Sequence, residues 1–127
     1  METEAGKLIM LVDDSVEILQ ALSFFLEMNG FRVICAENGQ EALEKLRSLT
    51  EQPKLIVLDM MMPIMDGFAF RKEQMGDPSL AAIPVVVTTA LSGNAIGAIN
   101  KEDFPRILRK PIVAEELLDA IADTNAA

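Results

Sequence analysis

The chain lacks histidine altogether and contains a single cysteine, Cys35. Without imidazole it has neither the usual general base of a catalytic triad nor the usual ligand for zinc or copper. One cysteine excludes an internal disulfide framework and agrees with a reducing compartment. Because Cys35 follows the apolar residues 31–34 closely, with only Arg32 interrupting them, we expect it to be a small core residue.

Aromatic residues and long apolar runs are also scarce. Aromatics make up 5% of the chain although half of it is hydrophobic, so the core must consist of Leu, Ile, Val, Met and Ala. No apolar run approaches the roughly 20 residues that a membrane span needs. The acidic start, residues 1–4, is unlike the basic start of a secretory signal. We therefore expect a cytoplasmic protein with no membrane partner.

The charge balance is strongly acidic, with a net charge of −9 over 127 residues. Such a surface repels nucleic acid and anionic lipid and is better suited to protein partners. The length predicts one domain, residues 1–127, with an ordered core of about residues 7–123.

Strand-like and helix-like stretches alternate along the whole chain. Helix starts are predicted after Ser15, Asn38 and Asp66, and strands after the prolines at 84 and 105. In the first helix the apolar residues recur three and four apart, at Ile18, Leu22, Phe25 and Leu26. Five βα units predict an α/β fold with a doubly wound, five-stranded parallel sheet. The helix expected within 92–100 contains two glycines and is the weakest.

Four of the predicted strands end at residues that could bind phosphate or a metal ion. The apolar runs are 8–12, 55–58, 85–87 and 107–108. The first three are followed directly by Asp13-Asp14, Asp59 and Thr88-Thr89, and the last is followed closely by Lys110. Open parallel sheets bind ligands at the carboxyl ends of their strands. If these runs are neighbouring strands, three carboxylates, a hydroxyl and an ammonium meet in one crevice. The pattern predicts a magnesium-dependent phosphate site.

The motifs around these positions resemble the receiver domain of two-component response regulators. The matching segments are residues 12–15 (Val-Asp-Asp-Ser), 58–67 (Leu-Asp-Met-Met-Met-Pro-Ile-Met-Asp-Gly), 89–90 (Thr-Ala) and 110–111 (Lys-Pro). They occur in the family's order at nearly its spacing, and the segment 59–67 is the most specific. The resemblance implies a flavodoxin-like fold with strand order 2-1-3-4-5.

The resemblance also implies a role for each carboxylate. Asp59 corresponds to the phosphoacceptor, a carboxylate nucleophile that forms an acyl phosphate. Mg²⁺, or Mn²⁺ in its place, would be held by Asp14 directly, by Asp13 mostly through water, by Asp59 and by the backbone carbonyl of Met61. Asp66 and the glycine after it are expected to cap a helix and not to take part in the chemistry.

The remaining family positions concern phosphate binding and output. Lys110 would approach the phosphoryl oxygens, and the Thr89 hydroxyl would move toward the phosphate as the switch. Thr88 competes for that role but points the opposite way in a strand. Many receivers carry an aromatic switch residue three positions before the lysine, where this chain has Ile107. The Lys110–Pro111 bond is often cis in the family.

The implied function is a stand-alone receiver, monomeric or weakly dimeric. A histidine kinase or phosphotransfer protein would phosphorylate it, and it would then regulate a target protein without being a metabolic enzyme. A haloacid-dehalogenase-type phosphatase is the alternative, but Met61 stands where that class has a second Asp. A flavin module would need a Ser/Thr/Gly-rich loop where Asp13-Asp14 lie. A receiver excised from a longer sensor or regulator stays open.

Overall fold

The computed structural model describes residues 6–90, 104 and 106–126, with side chains up to residue 124. The strands are β1 (Leu8–Val12), β2 (Arg32–Ala36), β3 (Leu55–Asp59), β4 (Val85–Thr89) and β5 (Arg106–Arg109). The helices described are α1 (Val16–Met28), α2 (Gly39–Ser48), α3 (Gly67–Met75) and α4 (Ala114–Ala126). None of these helices is both long enough and apolar enough to span a membrane. The helix predicted within 92–100 falls outside the described residues.

All five strands are parallel and follow the order β2-β1-β3-β4-β5, as predicted. The sheet is buried on both faces because helices cover each side, and its central strand β3 is buried at every position. Successive side chains of a strand point to opposite faces, so the apolar runs supply two cores. The α2–α3 core contains Met10, Ile56 and Phe70, and the α1–α4 core contains Ile9, Val57 and Leu117.

The helix starts predicted from capping residues are confirmed. Ser15 Oγ accepts the backbone N–H of the third residue of α1, and Asn38 Oδ1 and Asp66 Oδ1 do the same for α2 and α3. These bonds satisfy N–H groups that a helix leaves without an internal partner. The first helix ends before Asn29-Gly30, where the glycine has φ 89°.

Two details of the predicted core differ from the structure. In α1 the buried residues are Leu19 and Leu26, whereas Ile18 and Leu22 are only half-buried because they line a groove beside Pro111. Cys35 is also half-buried, since it lies on the edge strand β2. Its Sγ lies 3.1 Å from Ser23 Oγ.

The strand register brings the functional ends of the strands to one edge of the sheet. Val12 pairs with the residue before Asp59, Asp59 pairs with Thr88, and Thr89 pairs with Arg109. The next residues along β1 and β5 are Asp13 and Lys110. The fold therefore places the polar residues of four strand ends within reach of one another.

Gln74 of α3 is a fully buried polar residue that ties the following loop to the helix. Its Nε2 donates to the carbonyl oxygens of Leu80 and Ile83, both at 3.0 Å, and its Oε1 accepts from Arg71 at 2.8 Å. Buried carbonyl groups are costly when they have no donor. This one side chain therefore helps to fix the approach to β4.

We expect Gln74→Met to lower the free energy of unfolding by about 1–3 kcal/mol, because it removes the donor of the Ile83 carbonyl and leaves the Leu80 carbonyl with the Ile83 N–H alone. Urea unfolding measures the change. The control is Gln40→Met, which removes an exposed amide bonded to Glu44 on the surface of α2. A loss no larger than that of the control would contradict the expectation.

Candidate functional site

Asp59 is the last residue of β3, and its side chain is almost completely buried. Its Oδ1 accepts the backbone N–H of Met61 at 3.3 Å. Its Oδ2 lies 3.3 Å from Lys110 Nζ. A buried strand, a backbone donor and an ammonium therefore fix one carboxylate at the carboxyl edge of the sheet.

Asp13 and Asp14 follow β1 directly but have different environments. Asp13 is buried: its Oδ1 accepts the Ser15 N–H at 2.8 Å and its Oδ2 lies 3.0 Å from Lys110 Nζ. Asp14 is exposed. Oxygens of Asp13, Asp14 and Asp59 all lie within 4.8 Å of one another. The structure thus brings together the three predicted carboxylates.

Lys110 follows β5 and reaches across the end of β4 to both buried carboxylates. Its backbone N–H donates to the carbonyl oxygen of Thr89 at 2.8 Å, which extends the β4–β5 pairing by one residue. The peptide bond between Lys110 and Pro111 is cis. The side chain is largely buried, so its ammonium is held next to the acids.

Burial and charge shift the ionisation of these groups. Burial, followed by the charge of Asp13, raises the pKa of Asp59, and the ammonium of Lys110 and the N–H of Met61 offset part of that rise. Burial alone would lower the pKa of Lys110. The hydrogen bond to Asp13 and the charges of both carboxylates outweigh that effect, and the net result is a raised pKa. Lys110 is therefore held in its charged form.

The two threonines at the end of β4 lie on opposite faces of the sheet. Both are buried. Thr88 lines a small cavity with residues of the α1–α4 core, including Leu19 and Ile112. Strand alternation places Thr89 on the other face, with Val87 and the α2–α3 core. Ile107, the position of the aromatic switch residue in many receivers, is half-buried and packs against that same core.

The donor set suits a hard divalent cation. Carboxylate and carbonyl oxygens are the ligands that Mg²⁺ prefers, and Mg²⁺ usually retains several waters in proteins. Oxygens that lie within 4.8 Å of one another can share such a partly hydrated ion. With all groups charged, three carboxylates and one ammonium leave two negative charges, which a divalent cation balances. The residues therefore fit the predicted metal.

Two contributions to the site could not be found in the sequence pattern. One is the ion pair of Lys110, which forms with Asp13 and not with the adjacent Asp14. The other is the close packing of Gly67 on the end of β3. Its N–H donates to the carbonyl oxygen of Met60 at 3.0 Å, and an added Cβ would lie 2.6 Å from Met60 Sδ. The capping motif predicted the turn at Asp66 but not this contact.

Comparison with known proteins identifies the class. The family model for the response regulator receiver domain matches residues 9–122. The chain therefore belongs to the response regulator receiver family, whose members accept phosphate in two-component signalling. The predicted family, flavodoxin-like fold and phosphoaccepting function are confirmed.

Individual relatives agree with this assignment. The chain is 37% identical over 110 residues to the transcriptional regulatory protein CpxR homolog of Haemophilus influenzae, covering 87% of this chain and 42% of that protein. It is 32% identical over 114 residues to protein PilH of Pseudomonas aeruginosa, covering 89% of this chain and 93% of PilH. The structure of the chemotaxis response regulator CheY4 of Vibrio cholerae superposes with a TM-score of 0.83 at 28% identity, covering 94% of this chain and 99% of CheY4.

The raised pKa of Asp59 predicts a pH-dependent effect of Asp59→Asn. The folded wild type binds a proton at Asp59 more readily than the unfolded chain, so it gains stability as pH falls from the raised pKa toward the ordinary value of about 3.9. Asparagine does not titrate, so the variant lacks the contribution of position 59 to the pH dependence of stability. We expect it to be more stable than wild type at pH 7, and this advantage should shrink as pH falls through that window. Urea unfolding without divalent cations measures the difference, and a variant less stable at pH 7 would contradict it.

Proposed function

We propose that this protein is a cytoplasmic receiver that accepts a phosphoryl group on Asp59 and regulates a protein target. The observation that carries the proposal is the position of Asp59. It is a buried carboxylate between Lys110 Nζ at 3.3 Å and two further carboxylates that could share a divalent cation with it. A histidine kinase or a phosphotransfer protein is the proposed donor.

The chemistry is an in-line transfer between two nucleophiles. A carboxylate oxygen of Asp59 attacks the phosphorus, the P–N bond of the donor's phosphohistidine breaks, and the imidazole leaves and takes up a proton. An anionic nucleophile and an anionic phosphoryl group repel each other, so catalysis depends on positioning and on charge neutralisation. Lys110 supplies one positive charge beside the phosphoryl oxygens.

We assign the remaining positive charge to Mg²⁺, with Mn²⁺ as a substitute. Asp14, Asp59 and the backbone carbonyl of Met61 would hold the ion directly, and Asp13 would act mostly through water. The exposure of Asp14 supports its role as a direct ligand, because an ion entering from solvent meets it first. Asp13 already uses its two oxygens for Ser15 and Lys110. When bound, the ion neutralises phosphoryl oxygens.

An apolar groove next to Lys110 is the proposed docking surface for the donor. It has a volume of about 200 Å³ and is lined by Ile18, Ala21, Leu22, Lys110, Pro111 and Ile112. A donor must bring its phosphohistidine to within bonding distance of Asp59 and so must cover the surface around Lys110. Apolar residues at that position would stabilise the encounter by burial.

Phosphorylation is proposed to act on output through Thr89 and Ile107. The Thr89 hydroxyl would bind a phosphoryl oxygen, and Ile107 on the same face would respond through packing, since it carries no aromatic ring. We propose that the protein acts as a monomer or weak dimer and turns over no metabolite. At most it catalyses its own phosphorylation and dephosphorylation.

The relatives support a free-standing receiver and equally a receiver within a longer protein. The match covers 93% of PilH but 42% of the CpxR homolog. The acceptor chemistry at Asp59 is the same in both arrangements.

Incubation with acetyl phosphate and Mg²⁺ tests the acceptor. We expect intact mass spectrometry to show one added phosphoryl group on the wild type. The adduct should fall below detection in Asp59→Asn and in the presence of excess chelator, because one removes the nucleophile and the other the cation.

The matched control is Asp66→Asn, in the loop that follows Asp59. Asparagine retains the capping oxygen that accepts the Ala69 N–H, so this variant should form the adduct normally. Failure of the wild type to form an adduct with acetyl phosphate, with phosphoramidate or with any histidine kinase would refute the proposal.

A further inference from the structure

Gly39, the first residue of α2, lies unusually close to the loop that follows Asp59. Gly39 is buried, and its N–H donates to the carbonyl oxygen of Met65 at 3.0 Å. A Cβ added to Gly39 would lie 2.8 Å from Met65 Cγ, 2.9 Å from Met65 O and 3.0 Å from Met65 Sδ. The contact includes backbone, so a larger residue at position 39 must displace the loop.

The acceptor loop, residues 60–66, has little freedom to absorb such a displacement. The Gly67 N–H donates to Met60 O at 3.0 Å and so joins the two ends of the loop, and within it the Met65 N–H donates to Pro63 O at 2.7 Å. Ile64 has φ 68°, a conformation that non-glycine residues rarely adopt. A shift at Met65 is therefore transmitted along a short, internally bonded segment.

The acceptor loop begins directly after Asp59. The Met61 N–H donates to Asp59 Oδ1, and the Met61 carbonyl is the proposed backbone ligand of the cation. Positions 39 and 59 are thus linked through Met65 and Met61, although they belong to different βα units.

We propose that Gly39 is a positioning residue for phosphoryl transfer, because its missing side chain sets the place of the acceptor loop and so the orientation of the Asp59 carboxylate. The inference rests on the proposed function of Asp59. Gly39 itself touches neither phosphate nor cation.

The test compares Gly39→Ala with two controls from the same chain. Gly76→Ala makes the same chemical change where an added Cβ would meet nothing closer than 3.5 Å. Asn38→Ala removes the cap of α2, whose Oδ1 accepts the Glu41 N–H at 2.9 Å. It destabilises the same helix end without pushing on Met65. Thermal unfolding verifies that each variant is folded at the assay temperature.

Two readouts separate positioning from stability. The first is the rate of adduct formation with acetyl phosphate at saturating Mg²⁺. The second is the amide NMR resonance of Met61, recorded without Mg²⁺ or phosphate donor. We expect Gly39→Ala to react about tenfold or more slowly, since misplacement by about 1 Å can cost 10²-fold. Its Met61 resonance should shift, and both controls should stay near wild type in rate and resonance.

A folded Gly39→Ala with the wild-type rate and an unshifted Met61 resonance would overturn the inference. So would an equal loss of rate in Asn38→Ala. If Gly39→Ala does not fold, the same criteria apply to Gly39→Ala/Met65→Ala, which removes the side-chain contacts and keeps the backbone contact. If the wild type forms no adduct, the proposed function fails; the shift of the Met61 resonance still decides the link from position 39.

Discussion

The contact of Lys110 with Asp13 and Asp59 is the interaction on which the site depends. Two carboxylates buried at adjacent strand ends are costly to keep charged without a counter-charge. The ammonium that compensates them comes from β5, two strands away from β3 in the sheet, and its long stem bridges the end of β4. A shift in the placement of β5 would therefore remove the counter-charge that lowers the pKa of Asp59.

The raised pKa of Asp59 results from opposing effects on one carboxyl group. A nucleophilic carboxylate must be ionised, and Lys110 and the Met61 N–H favour that form, while burial and Asp13 oppose it. Burial and the charge of Asp13 outweigh the two favourable contacts, so the pKa is raised. The proposed consequence is that binding of a divalent cation and addition of a phosphoryl group each rearrange the local electrostatics.

Most of the fold and the members of the site could be predicted because their determinants are local. Apolar runs and capping residues such as Ser15 and Asp66 place the strands and helices, and the resemblance to the receiver family supplied the strand order. The sequence predicted that these strand ends meet, but not which individual atoms of distant segments are in contact. Nothing in two adjacent aspartates indicates that Asp13 will contact Lys110, and no spacing rule relates Gly39 to Met65. Cys35 is less buried than its apolar neighbours suggested, because exposure depends on which strand forms the edge.

The alternation of side chains along the strands also places the groove beside Lys110 and the side chain of Ile107 on opposite faces of the sheet. The groove beside Lys110 is continuous with the α1–α4 core, through Leu22 and Ile112. Ile107 packs with the α2–α3 core on the reverse side of the sheet. One sheet therefore separates the proposed donor groove from Ile107. Under the proposed function, a phosphoryl donor and a target protein would not need the same surface.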